Sequence, residues 1–135
     1  ETLGLRMERA CDNAKRLAEF LNTYPDVTVN YPGLSDSLWH AQAEKVLQNG
    51  YGAILTIRVG SKERAFDLIN TLTIPKIVSN IGDTKTLIIH PESTLNAHST
   101  QKEKEEAGVF DDLIRISVGI EDVEDLIEDF KHALK

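Results

Sequence analysis

The chain contains 135 residues, and its 22 acidic and 15 basic side chains give a net charge of −7. This length suits one domain with a sizeable core, and a hydrophobic fraction of 41% excludes a wholly disordered chain. The acidic balance, without any basic cluster, argues against a nucleic-acid-binding surface. No apolar run reaches the ~18 residues that cross a bilayer. The composition therefore predicts a soluble, cytoplasmic domain that binds neither nucleic acid nor a membrane.

The first half of the chain predicts two helices and a short strand between them. Apolar residues recur at steps of three and four over residues 1–22, which predicts an amphipathic helix with Cys11 on its buried face. A single cysteine permits no internal disulfide and no cysteine metal cluster. Residues 27–30 predict a short strand. Ser35 or Asp36 is predicted to cap a second helix that runs to about Leu47, with Trp39 and His40 as packing residues.

The second half predicts strands that alternate with helices. The predicted strands cover residues 52–59, 86–90 and 113–118. Ser61 is predicted to cap a third helix, and Asp122 lies at the start of a final helix whose acidic beginning and basic end suit the helix dipole. The charged run over residues 101–106 is expected to be a solvated face or the end of a helix.

Each predicted strand has one fully apolar face, because side chains in a strand alternate between its two sides. The simplest architecture is of the α/β class in an α+β arrangement: a small, largely antiparallel sheet with helices packed on one face. Residues 1–135 are expected to form this single domain. The other face is polar, with Ile54, Ile88 and Leu113 interrupting it, and such a face usually meets another domain or a ligand.

Arg115 is the residue of most chemical interest in this pattern. Its guanidinium offers a planar fork that can bind a carboxylate or phosphate through two hydrogen bonds, and its position on a strand would hold it rigidly. An ordinary ion pair with a nearby Asp or Glu remains the alternative. Arg58 has the same geometry, but it lies at the end of its strand.

The remaining polar candidates are weaker. Asn80 lies in a predicted turn, where its amide can donate hydrogen bonds. His90 could be a ligand or a base, but a structural hydrogen bond at the end of a strand is the commoner role for such a residue. His98 is expected to be exposed. No spacing typical of a metal site, a P-loop or a dinucleotide-binding loop is present.

Several motifs in register give the chain a family resemblance. They are Glu1–Arg9, Asn30–Leu34, Gly50–Leu55, Asn80–Asp83, His90–Thr94 and Leu113–Glu121. In this order they resemble the C-terminal domain of the Cys/Met-metabolism pyridoxal-phosphate enzymes of fold type I, over about residues 1–134. That family includes cystathionine γ-synthase, cystathionine lyases, methionine γ-lyase and O-acetylhomoserine sulfhydrylase.

The resemblance implies roles for two residues. Arg115 matches the arginine that grips the α-carboxylate of the amino-acid substrate, and Asn80 matches a position that faces the same carboxylate. Asn80 favours the sulfhydrylase branch, which converts O-acetylhomoserine and sulfide into homocysteine and acetate, because lyases commonly have Ser there. Leu95 and Asn96 depart from the Thr-His of many relatives.

The same resemblance implies what this chain lacks. The lysine that forms a Schiff base with pyridoxal phosphate belongs to a larger, preceding domain, and no lysine here stands in a matching motif. The start at Glu1 rather than Met also predicts a piece of a longer protein. We therefore expect no catalytic residue, no bound cofactor and no activity in this chain alone. The helix over residues 1–22 would connect to the cofactor domain of a homo-oligomeric, tetrameric enzyme.

Two alternatives stay open at this point. The chain could come from a cystathionine γ-synthase or a γ-lyase instead of a sulfhydrylase. It could also be a stand-alone regulatory module that binds an amino acid on the polar face of its sheet, because such a module would need no cofactor lysine.

Overall fold

The structure, a computed structural model, describes residues 1–135 and contains five helices and five strands. In chain order these are α1 (Leu3–Leu21), β1 (Thr28–Asn30), α2 (His40–Val46), β2 (Ile54–Arg58), α3 (Lys62–Thr71), β3 (Lys76–Ile77), β4 (Leu87–Ile89), α4 (Gln101–Glu106), β5 (Leu113–Ser117) and α5 (Val123–Ala133). None of the helices is long and apolar enough to span a bilayer.

The five strands form one sheet in the order β1-β2-β5-β4-β3. The pairings β1–β2, β2–β5 and β4–β5 are antiparallel, and only β3–β4 is parallel. The predicted class and the largely antiparallel sheet are therefore confirmed. β5 is the central strand, so its backbone is hydrogen-bonded on both sides and the side chains that it carries are the most firmly placed in the sheet.

The core lies between one face of the sheet and the three longest helices, α1, α3 and α5. Each helix contributes a stripe of side chains that solvent hardly reaches, and each such large side chain contributes about 1.5–3 kcal/mol through burial. The main contributors are Leu17 and Leu21 from α1, Leu68 from α3, Leu126 and Phe130 from α5, and Leu55, Ile57, Ile114 and Ile116 from the sheet. Helix packing on one face of the sheet is thus confirmed.

Two of the predicted helix starts are confirmed by their caps, and the third is wrong. Ser61 Oγ accepts from the backbone N–H of Arg64, and the Asp122 carboxylate accepts from that of Glu124. However, α2 begins at His40 and not after Ser35 or Asp36. Successive turns occupy the preceding segment, and the Asp36 carboxylate accepts a hydrogen bond from the Asn22 side chain instead of capping a helix.

Of the two packing residues predicted on α2, His40 agrees with expectation and Trp39 does not. Trp39 precedes the helix and is 65% exposed, so it is not a packing residue. His40 is partly buried, lies against the Tyr51 ring and makes a 2.8 Å hydrogen bond from Nδ1 to the Pro32 carbonyl. Cys11 is buried, as predicted.

The predicted faces of β4 are reversed. Ile88 lies directly opposite Ile116 and belongs to the core, whereas it was predicted on the polar face. In the ladder, Leu87 lies opposite Ser117 and Ile89 lies opposite Arg115. These two β4 residues therefore share the face of the sheet that carries Arg115. All three β4 residues are apolar and buried, so no polar side chain within the strand marks which residues face the core. The pairing of β4 with β5 decides which residues face the core.

The charged run over residues 101–106 forms the short helix α4, which is exposed along nearly all of its length. The Glu92 carboxylate connects this helix to the body of the domain. It accepts from Lys104 of α4 at 2.8 Å and from Lys62 of α3 at 2.9 Å. These two ionic contacts connect α4 to α3, and α4 itself buries no side chain.

We expect Glu92→Gln to lower the free energy of unfolding by about 1 kcal/mol near neutral pH, since the amide cannot pair with both lysines. Hydrogen bonds from Lys104 and Lys62 lower the pKa of Glu92 from 4.5 to about 2. A lowered pKa in the folded state means that this contribution is present above pH 4.5 and is lost as the pH falls from 4.5 through about 2.

Urea titrations of the parent protein and of Glu92→Gln measure this loss of stability, once near neutral pH and once near the lowered pKa of Glu92. Glu106→Gln is the matched control, because Glu106 and its partner Lys102 are largely exposed and 3.8 Å apart. The control should change stability by less than about 0.5 kcal/mol. A destabilisation by Glu92→Gln that stays constant down to the lowest pH would contradict the prediction.

Candidate functional site

Arg115 lies in the middle of β5, on the face of the sheet opposite the helices. Thr56 of β2 and Ile89 of β4 flank it in the ladder, and its chain neighbours Ile114 and Ile116 are fully buried in the core. The guanidinium is tethered as well, because Nη2 donates to the backbone carbonyl of Ser79 at 2.6 Å. Both ends of this side chain are therefore fixed.

Arg58 lies on the same face, but it is committed to a structural ion pair. Its Nε donates to Asp112 Oδ1 at 2.9 Å, and its guanidinium lies 3.9 Å from the centre of the Phe110 ring. Asp112 is only 5% exposed and also accepts from the Gly60 backbone N–H. Arg115, by contrast, has no acidic side chain within ion-pair distance. Its charge is available for a ligand anion.

Asn80 is brought to Arg115 by the backbone. It follows Ser79, whose carbonyl accepts from Arg115, and its side chain is exposed. The turn continues through Gly82, whose φ of +76° is a conformation that favours glycine. The Gly82 N–H donates to Ser117 Oγ at 3.3 Å. Asn80 therefore follows directly the residue that contacts Arg115, on the segment 78–86 that joins β3 to β4.

Ser79 and Ser117 are contacts of the site that the sequence reasoning missed. Ser117 stands two positions after Arg115 on the same strand, and strand alternation alone places both on one face. The sequence therefore contained a signal for the contact of Ser117. Ser79 contributes its backbone carbonyl, which every residue has, so nothing in its side chain could have indicated the contact.

A cleft of about 440 Å³ opens beside Arg115 on this face. One wall comes from β1 and β2 and the other from the segment 91–110. Among its lining residues are Asn30, Thr56, Arg58, Leu95, Asn96 and Phe110. The cleft therefore combines one unpaired cation with hydroxyl, amide and apolar surface, which suits a small polar ligand that carries an anionic group.

The histidines lie apart from this chemistry. His90 is 3% exposed and packs against Phe66, with ring centroids 4.8 Å apart. Its Nε2 is 2.6 Å from the Asp111 carbonyl, so Nε2 carries the proton and donates, while Nδ1 accepts from Ser93. Both ring nitrogens are occupied, in agreement with a structural role. His98 is exposed, as expected.

Comparison with known proteins identifies the family. A protein-family profile described as "Cys/Met metabolism PLP-dependent enzyme" matches residues 1–135. The chain belongs to this family. It is 44% identical to homocysteine synthase of Schizosaccharomyces pombe, over 100% of this chain and 32% of that protein. It is 44% identical to O-acetyl-L-homoserine sulfhydrylase of Leptospira meyeri and 41% identical to L-methionine gamma-lyase of Fusobacterium nucleatum, over 31% and 34% of those proteins.

Solved structures of the family share the fold of this domain. A Campylobacter jejuni protein assigned as O-acetylhomoserine (thiol)-lyase superposes on 98% of the chain with a TM-score of 0.94 and 36% identity. O-Acetylhomoserine sulfhydrylase of Wolinella succinogenes covers 100% of the chain with a TM-score of 0.84 and 37% identity. This chain corresponds to 32% and 36% of those two proteins. It therefore spans about a third of the relatives that it matches.

The residues around Arg115 fit a carboxylate but do not by themselves form a pyridoxal-phosphate site. The Campylobacter jejuni structure contains N'-pyridoxyl-lysine-5'-monophosphate, so its cofactor is joined to a lysine. No lysine lines the cleft beside Arg115, and Lys62 and Lys104 are both bound to Glu92. The site can bind and orient an anionic ligand; it offers no amine for attachment of the cofactor.

The contrast between the two arginines predicts that their removal lowers stability to very different extents. Arg58→Met leaves the buried Asp112 carboxylate without its cation and should lower the free energy of unfolding by about 2 kcal/mol. Arg115→Met breaks no ion pair and should change stability by less than about 0.5 kcal/mol. Urea denaturation of the two variants measures both values. Equal losses of stability would show that Arg115 is also a structural residue.

Proposed function

We propose that this chain is the C-terminal, substrate-carboxylate-binding domain of a pyridoxal-phosphate enzyme of sulfur amino-acid metabolism, with O-acetylhomoserine sulfhydrylase as its activity. The observation that carries the proposal is Arg115: a guanidinium fixed on the central strand, tethered to the Ser79 carbonyl and without an acidic partner. Relatives named homocysteine synthase and O-acetyl-L-homoserine sulfhydrylase, both 44% identical to the chain, support the choice of activity.

Arg115 would bind the α-carboxylate of the substrate through two parallel hydrogen bonds. The Ser79 carbonyl accepts from Nη2 only, which leaves Nη1 and Nε without an acceptor in this chain. A guanidinium presents five N–H donors in a fixed plane, and a carboxylate matches two of them at once. The Ser79 tether limits rotation of the guanidinium, so less conformational entropy is lost when the carboxylate binds.

Asn80 would donate its side-chain amide to the same carboxylate. It is exposed and adjacent in the chain to the carbonyl that tethers Arg115. With both groups on one carboxylate, the amino acid has a fixed orientation, which places its reacting bonds against the cofactor. Pyridoxal phosphate supplies the electron sink for that chemistry when it is bound. Arg115 and Asn80 position the substrate and transfer no proton.

The domain would act together with a larger cofactor-binding domain outside this chain. Leu3 and Leu5, in the first turn of α1, are 61% and 73% exposed, which agrees with contacts to further chain at this end. Residues 1–135 would thus form one domain, inactive alone, of a cytoplasmic homo-oligomer. The tetramer expected from the family resemblance belongs to this proposal.

Arg115→Lys in the full-length enzyme should raise KM for O-acetylhomoserine by about tenfold or more, because an ammonium cannot reproduce the two-pronged contact. Asn80→Ala should raise KM by a smaller factor, since one neutral donor is lost. Steady-state kinetics with sulfide in excess measure both effects. An unchanged KM in Arg115→Lys would remove Arg115 from the substrate site.

The chain alone should form no Schiff base with pyridoxal phosphate at a specific lysine. Incubation with the cofactor, borohydride reduction and peptide mass spectrometry test this directly. We expect scattered, substoichiometric labelling of exposed lysines, because no lysine lines the Arg115 cleft. Stoichiometric labelling of one lysine would contradict the proposal that the cofactor is held by another domain.

Two assays separate this proposal from its alternatives. Turnover of O-acetylhomoserine with sulfide, compared with cysteine as the thiol acceptor, distinguishes a sulfhydrylase from a cystathionine γ-synthase, and release of an α-keto acid from methionine indicates a γ-lyase. Tight, saturable binding of an amino acid to this chain alone, measured by calorimetry, would favour a regulatory module instead.

A further inference from the structure

The segment 78–86 carries both Ser79 and Asn80, and a polar cluster at its far end holds it in place. Thr86 closes the segment where β4 begins, and Glu121 follows the end of β5. The Glu121 carboxylate accepts from the Thr86 backbone N–H at 2.5 Å through Oε1 and from the Thr86 hydroxyl at 2.8 Å through Oε2. We call this pair the Thr86–Glu121 clamp.

The clamp is buried and closely packed. Thr86 is 0% exposed, and its hydroxyl also accepts from the Gly119 backbone N–H at 3.0 Å. The backbone of the segment passes so close to Gly119 that a Cβ on this glycine would lie 2.3 Å from the Thr84 carbonyl oxygen. The end of β5 and the end of the segment therefore have no free space between them.

A second buried side chain fixes the clamp from the helical layer. Asn13 of α1 is 2% exposed, and its Nδ2 donates to the carbonyls of both Gly119 and Glu121, at 3.0 and 2.8 Å. The Ile120 backbone N–H in turn donates to the Thr84 carbonyl at 2.9 Å. This turn after β5 is thus held on one side by α1 and holds the segment 78–86 on the other.

The segment is attached to β5 and to the turn after it at several places along its length. The clamp attaches its end, Ser117 Oγ accepts from Gly82 near its middle, and Arg115 donates to Ser79 at its beginning. Every partner lies on β5 or directly after it. Loss of the clamp loosens the end of the segment. Two hydrogen bonds, from Ile120 to the Thr84 carbonyl at 2.9 Å and from Gly82 to Ser117 at 3.3 Å, then lie between Thr86 and the Ser79 tether.

We propose that Thr86 and Glu121 are positioning residues for the Arg115–Asn80 site: they touch no substrate and keep the Ser79 carbonyl and Asn80 at the distance from Arg115 that carboxylate binding requires. This inference rests on the proposed function of Arg115. Neither residue belongs to the cleft beside Arg115, so both act through the segment.

Thr86→Val and Thr86→Ser in the full-length holoenzyme form a matched pair for the test. Valine keeps the shape but removes the hydroxyl that Glu121 and Gly119 share, and serine keeps the hydroxyl. The readout is the ratio of inhibition constants for homoserine and 3-aminopropan-1-ol, which differ only in the carboxylate. Thr71→Val is the control, because the Thr71 hydroxyl bonds only within α3, to the Asp67 carbonyl.

Thr86→Val should reduce the preference for homoserine by about fivefold and raise KM for O-acetylhomoserine to a similar extent, with kcat within about twofold of the parent enzyme. Thr86→Ser should restore both values, and Thr71→Val should change neither. Cofactor absorbance and thermal melting are recorded in parallel. A Thr86→Val enzyme that melts earlier but keeps the full preference would overturn the inference, because the clamp would then be structural only.

Arg115→Lys, measured in the same assay, separates this inference from the proposed function. If Arg115→Lys loses the carboxylate preference and Thr86→Val keeps it, the positioning role fails and the function of Arg115 stands. If both variants keep it, the substrate carboxylate binds elsewhere and the proposed function fails as well. Should Thr86→Val not fold, Glu121→Gln, which keeps one acceptor oxygen, gives the same comparison.

Discussion

The pairing of β5 with strands on both sides is the constraint on which the rest of this structure depends. Antiparallel ladders with β2 and β4 fix its register, so the buried residues Ile114 and Ile116 face the helices and Arg115 must face the other way. A slip of one residue would bury the guanidinium in the core, at a cost of many kcal/mol. The packing of the hydrophobic core therefore determines the direction in which Arg115 points, although no core residue touches a ligand.

The two arginines on this face of the sheet differ in whether a carboxylate neutralises their charge. Arg58 and Arg115 share the residue type, the strand environment and the side of the sheet. The turn before β5 supplies Asp112 to Arg58, whose charge is thereby neutralised. Arg115 receives only a carbonyl dipole from Ser79, which orients the guanidinium and leaves its charge intact. In a domain with an excess of acidic side chains, such a cation persists because no carboxylate is placed within reach of it.

Predictions from the sequence succeeded where a pattern and a partner lay close together in the chain. The periodicity of α1 and α5, the cap at Ser61, the acidic start of α5 and the alternation in β2 and β5 are local features, and all were found. The start of α2 was missed because Asp36 bonds to Asn22, which the turn after α1 brings close. The face of Ile88 was missed because its flanking residues are equally apolar. Both errors were decided by contacts between elements.

The sequence by itself determined the α/β class, the helices on one face of the sheet, and the family to which the chain belongs, because periodicity and motif order are written in consecutive residues. It also placed Arg115 and Asn80 as candidates. Only the tertiary structure decided that Arg115 contacts the residue before Asn80, that Arg58 is paired, and that the segment 78–86 is clamped by Thr86 and Glu121. Those outcomes depend on hydrogen bonds between residues 35 and more positions apart, and no local pattern records which donor meets which acceptor.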